Sequence, residues 1–533
     1  MVNDGMEEAK GLGGGTGGVV WPMWAKLGLA ALVLGGWGLL GRALGKAGSL
    51  YSDDIAILTN ILELGMWDYA GPLWRDQIAP WGFMVAVRGC SAWLGNSEWS
   101  FRLVPFGAAV LSLPVFAWLV MRLCVPWAGL VVMFGFVASG EWLLQATRVK
   151  PYTLDVLFAL LVLAVAVRVV DRRCGWGWGV LLGLVGGVGS WFSVSLPVVV
   201  AAGGMVLVGV RFWQGGWKGR GDWGPVVLAG VLSAGLAGVH LVGVLLPQRA
   251  ASGTAEYMAS FWARGFLPLP IVEPGQFVLR VMLFVEDATR LALPGLVLGL
   301  ALLGCWAWVR VVGRKDEAVG GWGWRGVLVV SPVLLAGLLA MAELYPMQGR
   351  LALYLGPSVF LALGVGLEWL RGVVGGWGGA VLAGVASALV LSLPVGNRGG
   401  VVIEDDVVPV LEAVHDRLES GQRVYLHYPA AGTYLFYVKH LQPDLAFEAD
   451  CLIIGSFGRR DWLRYDDDVR EVAAEPGAAW MVLTASGGNA GLDEAVYLGM
   501  LMDRNGTRLD RIDGRDAYAV LWRPGVEEVV DGE

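Results

Sequence analysis

The sequence predicts a polytopic α-helical membrane protein of about eleven spans that ends in a soluble α/β domain. Three observations carry this. Of 533 residues, 56% are hydrophobic and only 16% charged, with a mean hydropathy of +0.60, far too apolar for an ordinary soluble protein. Apolar windows long enough for a span recur as far as about residue 395. The charge is divided: residues 398–533 hold 25 Asp and Glu against 13 Lys and Arg, a balance of −12, which leaves +5 for the rest of a chain whose total is −7.

Crossing the hydrocarbon takes about 20 apolar residues in a helix. Candidate spans start near residues 22, 99, 127, 153, 176, 195, 225, 291, 325, 350 and 376. Many are rich in Gly, which membrane helices use for close packing. The segment 78–94 (IAPWGFMVAVRGCSAWL) is short and interrupted by Arg88, and reads as a helix lying at the surface, with a twelfth span as the alternative. Residues 1–20 are expected to be a disordered cytoplasmic N-terminus. They lack the basic start and cleavage site of a signal peptide, so the first helix would remain as an anchor. The predicted membrane domain is 21–397, with long loops at 44–98 and 247–290, and the α/β domain is 398–533. Five scattered cysteines (Cys90, Cys124, Cys174, Cys305, Cys451) give neither a disulfide framework nor a zinc site.

Orientation follows from the positive-inside bias. With the N-terminus inside, the cytoplasmic loops collect Arg168, Arg172, Arg173, Arg211, Lys218, Arg310 and Arg314, whereas the short outward loops hold only Arg148, Lys150 and Arg350. An odd number of spans places the tail and both long loops on the extracytoplasmic side. The tail alternates helical and strand-like segments, from DDVVPVLEAVHDRL and RVYLHY to AAWMVLTA, and closes in a hairpin around Asp513-Gly514. No Gly-rich phosphate loop follows its strands; GSFGRR has no helix start behind it, which argues against nucleotide binding.

Three outward segments gather polar residues. The first, YSDDIAILTNILELGMWDYAGPLWRDQIAPWGF, carries Asp53 and Asp54 at a helix start, where an acid is often only a cap. Two adjacent carboxylates at a membrane surface also suit general-base work, because desolvation and mutual repulsion raise one pKa. The second, ATRVKPYTLDVL, carries Arg148, Lys150, Tyr152 and Asp155. Its cations could snorkel to headgroups or clamp a phosphate. The third, AELYPMQGRLALYLGP, carries Glu343, Tyr345 and Arg350 around a Pro/Gly turn. Gln77 and Arg102 are further candidates for contacting substrate from the first loop and its end.

The strings YSDD, IAPWG and LGNSEWSFRLVPFGAAVLSLPVF, followed in order by RVKPYTLDVL, WFSVSLPVVVAAG and YPMQGRLALYLGP, resemble the GT-C class of membrane glycosyltransferases. The likeness is to the branch of protein O-mannosyltransferases and lipid A aminoarabinose transferases (bacterial glycosyltransferase family 39), and it runs from about residue 22 to 395. The resemblance implies a GT-C fold and a polyprenyl-phosphate sugar donor used on the outer face of the plasma membrane. The acceptor would be a lipid, glycan or protein hydroxyl, with membrane lipids around the protein and no nucleic acid involved. It also implies Asp53 as base, where the family's motif is usually Asp-Glu and Asp54 replaces the Glu, and Asp155 as a second acid. The family's Arg and Lys of the first loop are replaced by Ala56 and, roughly, Gln77, so Arg148, Lys150 and Arg350, with Tyr152 and Tyr345, would bind the donor phosphate. The expected displacement is single and inverting. No cofactor is implied and no metal is demanded, although the metal-dependent members of the wider class leave a divalent ion open. A transporter or flippase of a lipid-linked substrate is the alternative from another class. Many spans and the intramembrane Glu141 and His240 suit it, but the halves show no internal repeat.

Overall fold

The computed structural model describes residues 20–171, 175–215, 223–250, 262–289, 294–311, 317–374, 406–455, 462–474, 477–484 and 494–525. Among them, seven helices are long and apolar enough to cross a membrane: Met23–Gly45, Glu98–Leu123, Tyr152–Val170, Leu196–Trp213, Gly224–Arg249, Gly323–Met341 and Gly349–Arg371. An eighth span results if Pro274–Thr289 and Pro294–Arg310, bent by 89°, form one broken crossing. The protein is therefore a polytopic helical membrane protein, with fewer full spans among its described residues than the eleven expected.

The difference has a physical cause. The candidates near 127 and 176 are the short helices Pro126–Val137 and Trp176–Gly189, of 12 and 14 residues. At about 1.5 Å per residue they reach roughly 18–21 Å, short of a hydrocarbon core about 30 Å thick. Neither break shows in hydropathy. The first helix gives way at Ala138 and Ser139 to a second short helix, Gly140–Gln145. The other ends at Ser190, and Ser193 Oγ then accepts the Leu196 N–H at 3.1 Å to start the next helix. The candidate near 291 is the second half of the bent pair, and the one near 376 lies outside the described residues. The segment 78–94 forms the helix Trp81–Leu94.

Glycine sets how closely the helices approach. A Cβ on Gly304 would lie 2.0 Å from the Ala362 carbonyl oxygen, and one on Gly366 would lie 1.8 Å from that of Leu300. The helices Pro294–Val311 and Gly356–Val374 therefore cross backbone against backbone. Gly179, Gly183 and Gly187, spaced by four, face the helix Gly224–His240, the first against the Pro225 backbone and the other two against the side chains of Leu232 and Leu236. Such small-residue seams replace the hydrophobic drive that lipid does not supply.

The chain divides into two compact units. One comprises residues 1–46, 64–89 and 102–401; the other comprises 47–63, 90–101 and 402–533. The second unit contains a five-stranded sheet in the order β2-β1-β3-β5-β4, formed by Arg423–Leu426 (β1), Leu452–Ile454 (β2), Ala479–Thr484 (β3), Gly506–Asp513 (β4) and Ala517–Pro524 (β5). β1 pairs parallel with β2 and β3, while β5 runs antiparallel to β3 and β4. The predicted hairpin is the β4–β5 pair. A helix, Trp462–Ala473, does begin soon after GSFGRR, and a further helix, Glu494–Asn505, was not anticipated.

Gly366→Val should drive a side chain into the Leu300 carbonyl and lower stability by about 1–3 kcal/mol or more. Gly238→Ala, whose added methyl meets nothing within 4 Å, should be neutral. Thermal unfolding of both variants in nanodiscs checks the contrast.

Candidate active site

The residues named from the sequence fall into both units. In the membrane unit, Thr153 begins the constellation by donating to the Pro105 carbonyl at 2.8 Å, which fixes the head of the helix Tyr152–Asp171. Just before it, Lys150 is only 5% exposed, and its Nζ donates to Gln77 Oε1 at 2.8 Å. A buried ammonium needs such partners, because an unmet charge far from water is costly. Gln77 in turn donates from Nε2 to the Arg75 carbonyl at 3.2 Å, and Arg75 holds a left-handed φ of 58°.

The guanidinium of Arg350 lies over the Tyr152 ring, 5.3 Å from its centroid. Arg350 follows the Pro/Gly turn, where Gly349 donates its backbone N–H to Asp287 Oδ2 at 2.7 Å and takes a φ of 53°. Glu343, at φ 58°, is exposed at the same turn. Non-glycine residues in this region cost roughly 1–3 kcal/mol each and gather at functional sites. Tyr345 donates to the Leu351 carbonyl at 3.0 Å and meets the Tyr354 ring edge-on at 6.3 Å. Burial, and then the neighbouring Tyr354 and Asp155, push its hydroxyl well above the ordinary value, so it stays a proton donor.

Asp155, 6% exposed, accepts hydrogen bonds from the hydroxyls of Ser193 and Ser195, while its Oδ1 has no hydrogen-bond partner. The cluster thus joins Gln77 to Lys150, Arg350 to Tyr152, and Asp155 to Tyr345. Arg148 is half-buried beside Lys150 in sequence, and Arg102 is buried. Sequence reasoning missed Ser193, Ser195, Tyr354 and Asp287. Only the serines left a trace, as part of WFSVSLPVVV. The same unit has an open apolar groove of about 370 Å³, lined by Trp81, Val85, Val188, Trp191, Phe192 and Leu236 among others.

Asp53 and Asp54 belong to the unit of the C-terminal sheet, in the first turn of the helix Ser52–Glu63. The helix dipole favours negative charge there. Asp54 is buried and Asp53 half-buried. The approach to this helix is fixed by the tail. Ser49 donates from its backbone N–H and its hydroxyl to Asp406 Oδ1 at 2.9 and 2.8 Å, and the Leu50 N–H donates to the Tyr437 hydroxyl at 2.8 Å. Among the described residues, no group of three or more His, Cys, Asp or Glu is placed to hold a metal.

No protein-family profile and no curated protein matches the chain. Among solved structures it is similar to ArnT from Cupriavidus metallidurans bound to undecaprenyl phosphate, at a TM-score of 0.49 and 13% identity over 93% of this chain and 98% of that one. It is similar to the archaeal oligosaccharyltransferase AglB from Archaeoglobus fulgidus, in complex with an inhibitory peptide and a dolichol-phosphate, at a TM-score of 0.49 and 11% identity over 95% of this chain and 75% of that one.

Gln77→Leu should strand part of the Lys150 ammonium and cost about 1–3 kcal/mol, whereas adding Lys150→Met to it should recover most of that loss. A double-mutant cycle on unfolding midpoints reads the coupling; simple additivity would mean that the bond contributes nothing.

Proposed function

We propose that the protein is a membrane glycosyltransferase that moves a sugar from a polyprenyl-phosphate donor to an acceptor hydroxyl on the outer face of the plasma membrane. The observation that carries this reading is the cluster at the head of the helix Tyr152–Asp171. There a buried Lys150, the Arg350 guanidinium and tyrosine hydroxyls stand beside a caged carboxylate, in the unit that also holds the apolar groove. Cations and neutral donors at one membrane level suit a lipid phosphate, and an apolar groove suits its chain. The order of sequence motifs supports the same reading.

In the proposed reaction the Asp53 carboxylate takes the proton of the acceptor hydroxyl as that oxygen bonds to the anomeric carbon. The bond from that carbon to the phosphate oxygen breaks, and polyprenyl phosphate leaves with the electron pair. Lys150, Arg148 and Arg350 stabilise its charge in a partly dehydrated site, where fixed cations act most strongly. Arg350 can grip phosphate through two N–H groups while its other face rests on Tyr152. Asp54 is the supporting acid beside Asp53, and Asp155 orients the sugar hydroxyls through its open Oδ1. One displacement inverts the anomeric centre. The N-terminus is assigned to the cytoplasm and the C-terminal unit to the outer side, from the cation bias of the loops.

Transfer from radiolabelled polyprenyl-phosphate sugars in isolated membranes tests the proposal. Asp53→Asn should reduce transfer by about 10²–10⁴-fold, and Lys150→Met by about 10²–10³-fold. Full transfer by Asp53→Asn would remove it as base. Movement of unaltered lipid-linked sugar across the bilayer, without transfer, would identify a flippase instead.

A further inference from the structure

The C-terminal unit holds polar chemistry, at its sheet, that the proposed sugar transfer leaves unused. Its chain leaves β1 for β2 on one side and returns past β1 to β3 on the other, so its course reverses between β1 and β3. The helices divide accordingly. Ala430 and Tyr434 of the helix Tyr428–His440 pack with Val424, Leu426 and Val482, whereas Tyr465, Val469 and Leu498 pack with Tyr425, Met481 and Leu483. In open α/β sheets such a reversal opens a crevice at the carboxyl ends of the strands, and ligands bind there.

His427 occupies that edge, as the residue after β1, where its backbone N–H donates to the Val482 carbonyl at 3.0 Å. The side chain is 0% exposed, and neither ring nitrogen has a hydrogen-bond partner. Burial pushes its pKa down to about 3, so the ring is neutral, with one donor and one acceptor nitrogen. Glu494 Oε2, at the start of the helix Glu494–Asn505, stands 3.7 Å from Nε2, too far for a hydrogen bond. The rings of Tyr428 and Tyr465 meet the imidazole edge-on at 4.9 and 5.9 Å, and the Glu494 carboxylate faces the Tyr465 hydroxyl and raises its pKa after burial does. Thr484, the last residue of β3 at the same edge, is also fully buried, and its hydroxyl has no partner. An unmet polar group buried away from water is destabilising, and a ligand's hydroxyls would offset that.

We propose that His427, Glu494, Tyr465 and Tyr428 form a binding site for a neutral polyhydroxyl ligand, a saccharide ring, at the carboxyl edge of the sheet. A sugar hydroxyl both donates and accepts, and so do the neutral imidazole and the tyrosine hydroxyls, while the carboxylate accepts only. The half-buried Tyr428 ring offers an apolar face to the C–H side of a sugar. An inorganic anion would meet the Glu494 carboxylate head-on. This site stands whether or not the protein transfers sugar.

The chain has only four histidines, so ¹⁵N-histidine labelling of the full protein in nanodiscs isolates the His427 ring signal, assigned by its loss in His427→Gln. Methyl α-D-mannopyranoside or methyl β-D-glucopyranoside should shift that signal saturably and leave His240, His415 and His440 unmoved. Glu494→Gln and Tyr465→Phe should each weaken the titration about tenfold while keeping the unfolding temperature within a few degrees of wild type. No His427 shift with either sugar, an equal shift with inorganic phosphate, or wild-type titration by both variants would overturn the site.

Discussion

The hydrogen bond from the buried Lys150 ammonium to Gln77 is the contact on which the arrangement of the membrane unit's cluster depends. It joins positions 73 residues apart, so it holds only if the segment 64–82 is itself held. Arg88 donates to the Leu64 carbonyl and, at 2.9 Å, to the Tyr69 hydroxyl. Gln248 donates to the Tyr69 and Ala79 carbonyls at 2.7 and 3.1 Å and accepts the Ala79 N–H at 3.0 Å. His240 Nε2 accepts the Trp81 N–H at 3.3 Å, and the Gly82 N–H donates to the Trp191 carbonyl at 2.8 Å. His240, which the sequence presented as a lone polar residue of a span, and Gln248 are thus the clamps of a loop.

Both clamps come from one helix, and its irregularity lets them work together. In a regular α-helix, eight residues turn through about 800°, which would set His240 and Gln248 about 80° apart. A π-helical turn at Leu241–Leu245 lies between them. One inserted residue makes the eight count as about seven, near 700°, and brings the two side chains within about 20° of one face. The same economy governs the bundle, where bare glycine backbones at Gly304 and Gly366 leave no room for adjustment. A stiff bundle with a loop stapled to it can keep an ammonium buried; a loose one would let water in and the lysine out.

What the sequence disclosed was mainly local. Seven span starts, the amphipathic helix Trp81–Leu94 and the closing hairpin follow from windows and periods that a reader can count. Span length was misjudged where the break is a turn made of small residues, at Ala138–Ser139 and Ser190, because a hydropathy average runs through such turns. The tail's helix Glu494–Asn505 went unnoticed although GLDEAVYLGMLMDRN has an acidic first turn. Of the site, the residue types were legible but not the partnerships. Ser193 and Ser195 reach Asp155 from the turn before the helix Leu196–Gly215, and Asp287 reaches Gly349 across 62 positions, which no spacing announces.

The placing of Asp53 and Asp54 depends on the tail unit, and the energies show through which contact. At the far end of their helix, Glu63 meets Lys439 at 2.7 Å and His440 at 3.3 Å. The hydrogen bond from Lys439 holds its carboxyl below the ordinary value. Lys439 is largely solvent-exposed, however, and a pair of that kind contributes about 0–1 kcal/mol. At the near end the Tyr437 hydroxyl is buried; it accepts the Leu50 N–H and donates to Glu98. Losing that hydroxyl would leave a buried backbone donor unmet, at about 1–3 kcal/mol. Only the near end is therefore strong enough to orient the first turn, and the two acids are in that turn. A domain that looks like an appendage in the sequence is, in the folded chain, the mount for its acid pair.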